Sequence, residues 1–138
     1  MQVKHGDLDL HFLKVHESTV ENGMSRTTIE ECCLGLLHDE WPSQDGESHR
    51  RKTLQSSSDA LPCTFVLASQ GEDVVTSVVA HCILRKAGEV SDGRAVILYS
   101  VVVAPEFRGR GIGRLLLRCV EDSAAVMGFS CTNFAFIH

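Results

Sequence analysis

An α+β fold, with a mixed, mostly antiparallel sheet flanked by helices, follows from three observations in this 138-residue chain. Short apolar runs rich in β-branched residues alternate with segments of helical apolar spacing. In the second half, consecutive apolar runs are joined by short polar connections, which makes those strands antiparallel neighbours. Residues 95–104 then form a near-continuous apolar run followed directly by glycines and a helix. A last apolar run after that helix lies parallel to it through a right-handed crossover.

Residues 8–15 (LDLHFLKV) alternate, with Leu8, Leu10 and Phe12 on one side, and form a short first strand. Residues 16–24 are polar and loop-like. Thr27-x-x-Glu30 and Thr28-x-x-Glu31 are capping boxes. Behind them Ile29, Cys32, Cys33, Leu36 and Leu37 make one apolar face, so 28–38 is a helix. Gly35 costs it about 1 kcal/mol against alanine, and Trp41-Pro42 ends it. Residues 43–58 are polar, carry the cationic run His49, Arg50, Arg51 and Lys52, and hold a short helix around 48–54.

Residues 62–69 (PCTFVLAS) are a strand, 70–73 a turn, 74–84 a longer strand and 85–94 a polar loop with Gly88 and Gly93. The central strand covers 95–103. A helix over 109–127 buries Ile112, Leu115, Leu116, Cys119, Val120 and Ala124, and Gly128 closes it. Residues 130–137 (SCTNFAFI) are the final strand. The element order is βα(α)βββαβ.

At 138 residues the chain makes one domain. Hydrophobic residues at 43% and charged residues at 22% are ordinary for a globular protein. The formal net charge of −5 argues against a nucleic-acid partner. Positive charge is local, at 49–52 and 108–118, which suits a small anionic ligand or an acidic peptide. No run of 18 apolar residues supports a membrane span. The first residues lack a signal-type apolar stretch. None of the six cysteines forms a C-x-x-C pair or a set with zinc spacing, so no metal is expected, and Cys32, Cys33, Cys63, Cys82 and Cys119 read as small core residues. These features predict a reducing compartment, the cytoplasm.

The chemistry concentrates in Arg108-Gly109-Arg110-Gly111-Ile112-Gly113 and the following Arg114. Glycines let backbone N–H groups approach a ligand, and the helix start adds free N–H groups and a positive dipole end. Cations at a helix N-terminus are disfavoured by a few tenths to about 1 kcal/mol each. Arg108, Arg110 and Arg114 there make sense around a di- or triphosphate. A solvated basic first turn, with glycines for tight strand–helix packing, is the alternative. The P-loop pattern lacks its lysine here, and the glycines fall as G-x-G-x-G instead of the dinucleotide G-x-G-x-x-G.

Arg108-x-x-Gly111-x-Gly113 after a strand, within VVVAPEFRGRGIGRLLL, resembles the GNAT superfamily of acetyltransferases. The resemblance implies an acyl-CoA N-acyltransferase fold and acetyl-CoA as cosubstrate. Its pyrophosphate would lie on the backbone of Arg108, Gly109, Arg110, Gly111, Ile112, Gly113 and Arg114. Its pantetheine arm would pair with the strand at Val101, Val102 and Val103, which serve as core residues at the same time. Across residues 34–129, LLHDEWP, QSSSDALP and VVVAPEFRGRGIGRLL narrow the likeness to the branch that acetylates the acidic amino terminus of actins. That branch implies an acidic protein terminus as substrate, with an actin-binding chaperone as a candidate companion.

On that reading His49, Arg50 and Arg51 bind acidic side chains, or else form a solvated charge run. Trp41 walls the substrate groove, or else covers a helix end. His81 reads as a strand histidine and Ser56, Ser57, Ser58 and Asp59 as turn residues. Many GNAT enzymes carry a glutamate base on the central strand. Tyr99 and Ser100 stand at that level here, which points to a water relay and leaves no catalytic residue assigned. Family members continue with a further helix and two strands that supply a tyrosine acid, whereas Tyr99 is the only tyrosine in this chain. A shortened domain that binds acetyl-CoA with weak or no catalysis, or acts through protein contacts, is the second expectation. A small-amine acetyltransferase is the third.

Overall fold

Six strands lie side by side in chain order in the computed structural model, which describes residues 1–18, 25–42, 46–70, 76–86, 96–129 and 136–137. They are β1 (Gln2–His5), β2 (Leu8–Lys14), β3 (Cys63–Gln70), β4 (Thr76–Lys86), β5 (Val96–Val103) and β6 (Phe136–Ile137). The helices are α1 (Arg26–Glu40), α2 (Gly46–Gln55) and α3 (Ile112–Val126). Strands β1 to β5 pair antiparallel. β6 runs parallel to β5, with Leu98 opposite Phe136 and Tyr99 opposite Ile137. The α+β class, the element order from β2 onward and the parallel last strand agree with the sequence reading.

The strand missing from that reading is β1. It pairs with β2 through a hairpin whose turn is Gly6-Asp7, Gly6 standing at φ +62°. A Gly-Asp dipeptide is a hairpin signal, but QVKH offers only Val3 as an apolar residue, so no alternation announced a strand before it.

Helix α1 is longer than expected at both ends. Its N-cap is Ser25, whose Oγ accepts the Thr28 N–H at 3.2 Å. Neither capping box is used. Glu30 instead accepts from Arg26 Nε at 2.8 Å. Arg26 also donates to the Leu54 and Gln55 carbonyls, tying the start of α1 to the end of α2. The buried face holds Ile29, Cys33 and Leu37 as expected. Leu34 and Glu30 join it, while Cys32 and Leu36 are half-buried.

The expected loop at 85–94 begins later, because Arg85 and Lys86 still belong to β4, paired with Ile97 and Val96. Helix α3 begins at Ile112 and not at 109, because Gly109 and Gly111 stand at φ +80° and +78°. A left-handed residue cannot continue a right-handed helix. At its far end Gly128 is left-handed at φ +91°. Gly128 N–H donates to Ala125 O, and Phe129 N–H to Ala124 O. This is the paired closure that a C′ glycine permits. The turn at 71–73, the loop at 87–94 and the strand at 130–135 lie outside the described residues.

Apolar residues fill both faces of the sheet. Phe65, Leu67, Leu84 and Leu98 pack with Leu116 and Val120 under α3. Val66 and Val15 pack with Ile29, Cys33 and Leu54 under α1 and α2. Cys33, Cys63, Cys82 and Cys119 are buried free thiols, and Cys32 is half-buried. No described helix is long and apolar enough to cross a membrane.

Candidate functional site

The loop between β5 and α3 is shaped as an anion cradle. Gly111 is the N-cap of α3 and offers no side-chain cap, so the first N–H groups of the helix are left to an outside acceptor. The left-handed glycines turn the backbone around this point without a Cβ in the way. His5 on β1 braces the loop from behind, its Nε2–H donating to Arg110 O at 2.5 Å. Arg110 lies over the Phe107 ring, 5.6 Å from its centroid. Arg114 is exposed on the first turn of α3. Arg108 bridges elements: Nε donates to Val103 O at 2.9 Å and Nη2 to Glu40 on α1 at 2.6 Å. The cradle suits a phosphate group because its donors are backbone N–H groups at a dipole end ringed by guanidinium groups. Ile112 and Gly113 form the first turn, with Ile112 buried and Gly113 against Val103.

Upstream, β5 is irregular. Ile83 faces Tyr99 but His81 faces Val102, so β5 holds one residue more than β4 between these pairs. Ser100 takes up the excess at φ +52°. His81, fully buried, holds it there, since Nδ1–H donates to Ser100 O at 2.9 Å. Burial pushes His81 down to about 4, so the ring is neutral. Its Nε2 has no partner among the described residues.

Beyond the bulge, Ala104 N–H donates to Val79 O across β4. Alternation along the strand then turns the N–H and C=O groups of Val103 and Val101 to the opposite edge. On that edge, among the described residues, β6 reaches only Leu98 and Tyr99. Val101 thus presents its backbone groups, and Val103 its N–H, to an added chain, the Val103 carbonyl already accepting from Arg108 Nε, while Val102 is buried.

A cavity of about 130 Å³ opens beside Ser100, between α2 and the sheet, with Leu37, His49, Arg50 and Tyr99 in its walls. His49 and Arg50 therefore meet at the bulge. Arg50 also donates to the Trp41 carbonyl at 2.8 Å and ties the two helices together. Trp41 is half-buried at the C-cap of α1, its N–H on Leu37 O. Arg51 points elsewhere and pairs with Glu31 at 2.7 Å and Glu47 at 3.3 Å. Tyr99 is half-buried, and burial raises its phenol above the usual 10. It is a proton donor at neutral pH, not a base.

Ser57, His16 and Asp59 hydrogen-bond in a row. His16 Nε2 donates to Asp59 at 3.0 Å, and Ser57 Oγ donates to Nδ1 at 2.9 Å. Ser57 is buried and its Oγ also accepts the Thr64 N–H, so the row pins the 56–62 turn to the end of β2. Cys63 beside it completes the single metal-like grouping among the described residues. Lys14, 2.9 Å from Asp59, already supplies the cation, and burial pushes the Cys63 thiol up to about 12.

Comparison with known proteins bears on the family and the fold. Residues 31–137 match the Acetyltransferase (GNAT) family. N-alpha-acetyltransferase 80 of Mus musculus is 33% identical over 106 residues, which cover 75% of this chain and 32% of that protein. The chain thus spans about a third of that relative's length. Among solved structures, the aminoglycoside acetyltransferase AAC(6')-Iy, bound to the bisubstrate analogue CoA-S-monomethyl-acetylneamine, superposes with a TM-score of 0.62 at 20% identity. That match covers 94% of this chain and 79% of the other. A ribosomal-protein-alanine N-acetyltransferase from Brucella melitensis biovar Abortus 2308 gives 0.57 at 17% identity, covering 94% and 78%. At these identities the likeness is one of fold.

Proposed function

The chain belongs to the GNAT family of acetyltransferases, and on that premise we propose that it transfers acetyl from acetyl-CoA to the acidic amino terminus of a protein. Actin is the first candidate, with an actin-binding chaperone as companion. The observation that carries this reading is the 33% identity to an N-alpha-acetyltransferase. His49 and Arg50 beside Ser100 support it, because they put basic groups where an acidic peptide would lie. The same reading puts the reaction in the cytoplasm.

Acetyl-CoA supplies an activated thioester, so the chain's work is to bind, orient and manage one proton. The backbone of Arg108, Gly109, Arg110, Gly111, Ile112, Gly113 and Arg114 receives the pyrophosphate. The open edge at Val101 and Val103 receives the pantetheine arm as an added strand. An α-amine has a pKa near 8, so about a tenth of it is neutral at pH 7. Positioning that fraction is worth several kcal/mol. Tyr99 stays protonated and His81 is sealed from solvent, so the amine loses its proton to water in the cleft. Trp41 closes the end of α1 next to Arg50, and Arg51 holds α2 on α1 through Glu31, with Glu47 of its own helix as a second partner.

The test is incubation with acetyl-CoA and a peptide that begins with several acidic residues, followed by mass spectrometry. The expected result is one acetyl group on the α-amine. Acetylation of polyamines or aminoglycosides but not of the peptide sinks the reading in favour of a small-amine enzyme. Thermal stabilisation by CoA without any acetylated product sinks it in favour of a cofactor-binding domain.

A further inference from the structure

We infer that Arg85 is the specificity-determining cation of the acceptor cleft, reading the carboxylate of the second or third residue of the bound peptide. The inference rests on the proposed acidic-terminus reading and adds a residue that was expected in a loop.

Arg85 is exposed on β4 opposite Ile97, on the same face as Ile83 and Tyr99. Its guanidinium lies over the Tyr99 ring at 5.3 Å from the centroid. A second cavity, about 370 Å³, is lined by His49, Thr53, Pro62, Arg85 and Tyr99. It shares His49, Thr53 and Tyr99 with the cavity at Ser100, so the two adjoin along α2 and the sheet. From Ser100 to Ile97, the partner of Arg85, is three strand residues, or about 10 Å. An extended peptide whose amine lies at Ser100 spans that distance with its second and third residues.

The other arginines of this region have polar partners within the chain. Arg51 is held by two carboxylates and Arg50 by the Trp41 carbonyl. Arg85 has no carboxylate within ion-pair distance among the described residues, and its one contact is the aromatic face. The contact with the Tyr99 ring restrains the guanidinium and leaves its N–H groups without a carboxylate partner among the described residues. A planar fork held in advance suits bidentate binding of a carboxylate, because less side-chain entropy is lost on binding.

The experiment measures binding of dye-labelled peptides to the full chain in the presence of CoA, and acetylation of the same peptides. One peptide has Asp at positions two and three, the other Ser. The wild-type chain is expected to prefer the Asp peptide. Arg85→Gln is expected to weaken that peptide on the order of tenfold, leaving the Ser peptide and the acetyl-CoA KM unchanged. Arg118→Gln, an equal loss of charge on α3, is expected to change neither. Arg85→Glu with a peptide carrying Lys at those positions is expected to regain binding, which a folding defect could not produce. Wild-type protein that binds both peptides equally, or neither, overturns the acidic-substrate reading and this inference together. Preference for the Asp peptide that survives in Arg85→Gln overturns the role of Arg85 alone.

Discussion

His81 and Ser100 hold each other in states that neither prefers alone. A serine at φ +52° is strained by about 1 kcal/mol or more, and a histidine at zero exposure must give up its charge. The hydrogen bond between them offsets part of both costs. The titration has a defined sign. Folding lowers His81 from 6.5 to about 4, so the unfolded chain binds a proton that the folded chain refuses. Stability is therefore complete above pH 6.5 and declines as pH falls to about 4, with a slope of at most about 1.4 kcal/mol per pH unit. Lys14 and His16 hold the exposed Asp59 carboxyl below its usual range, which adds a decline of the same sign at lower pH. His81→Asn keeps a donor for Ser100 O and removes the histidine titration. Melting temperatures measured across pH 4 to 7 should fall less in the variant than in the wild type; parallel curves would refute the assignment.

At the scale of elements, the turn into α3 is the proposed cofactor cradle and depends on glycine for its shape. In Gly111→Ala a Cβ enters the left-handed region, at about 1–2 kcal/mol, and meets His5 Nε2 at 3.4 Å, the group that braces the loop. Calorimetric titration with CoA should show roughly tenfold weaker binding, together with a loss in urea stability. Gly128→Ala carries the same backbone strain at φ +91° with open space around it. It should lose comparable stability and bind CoA as the wild type does. Equal CoA affinity in both variants would remove Gly111 from the cradle. This turn was legible in the chain because strand, glycines, arginines and helix are adjacent and obey local rules. The true cap of α1 was less so: Ser25, Thr27 and Thr28 all suit a cap, and the ties from Arg26 to Glu30 and to the end of α2 favour Ser25.

Across the whole molecule, the sheet is one wall for two cores, and Phe65 sits fully buried on the α3 side, stacked on Phe12 at 5.4 Å. Phe65→Ala should cost about 3–5 kcal/mol by denaturant unfolding, because helix and strand backbones on both sides prevent collapse. A cost under 1 kcal/mol would mean that this core is loosely packed. Apolar spacing, breakers and the R-x-x-G-x-G turn were enough to assign the α+β class, the order of elements from β2 onward and the glycine turn ahead of α3, since each is a matter of residues close in the chain. The acceptor cleft was not available that way. Whether Arg50, Arg51 or Arg85 faces a ligand depends on where α2 lies on the sheet and which carboxylates it meets. Glu31 and Glu47 claim Arg51, while the register of β4 against β5 sets Arg85 on Tyr99. Ser100 likewise owes its strained turn to one surplus residue counted between two strands that run in opposite directions. Charge and pattern are local properties, whereas the pairing of a charge and the register of a strand arise from contacts between distant parts of the chain.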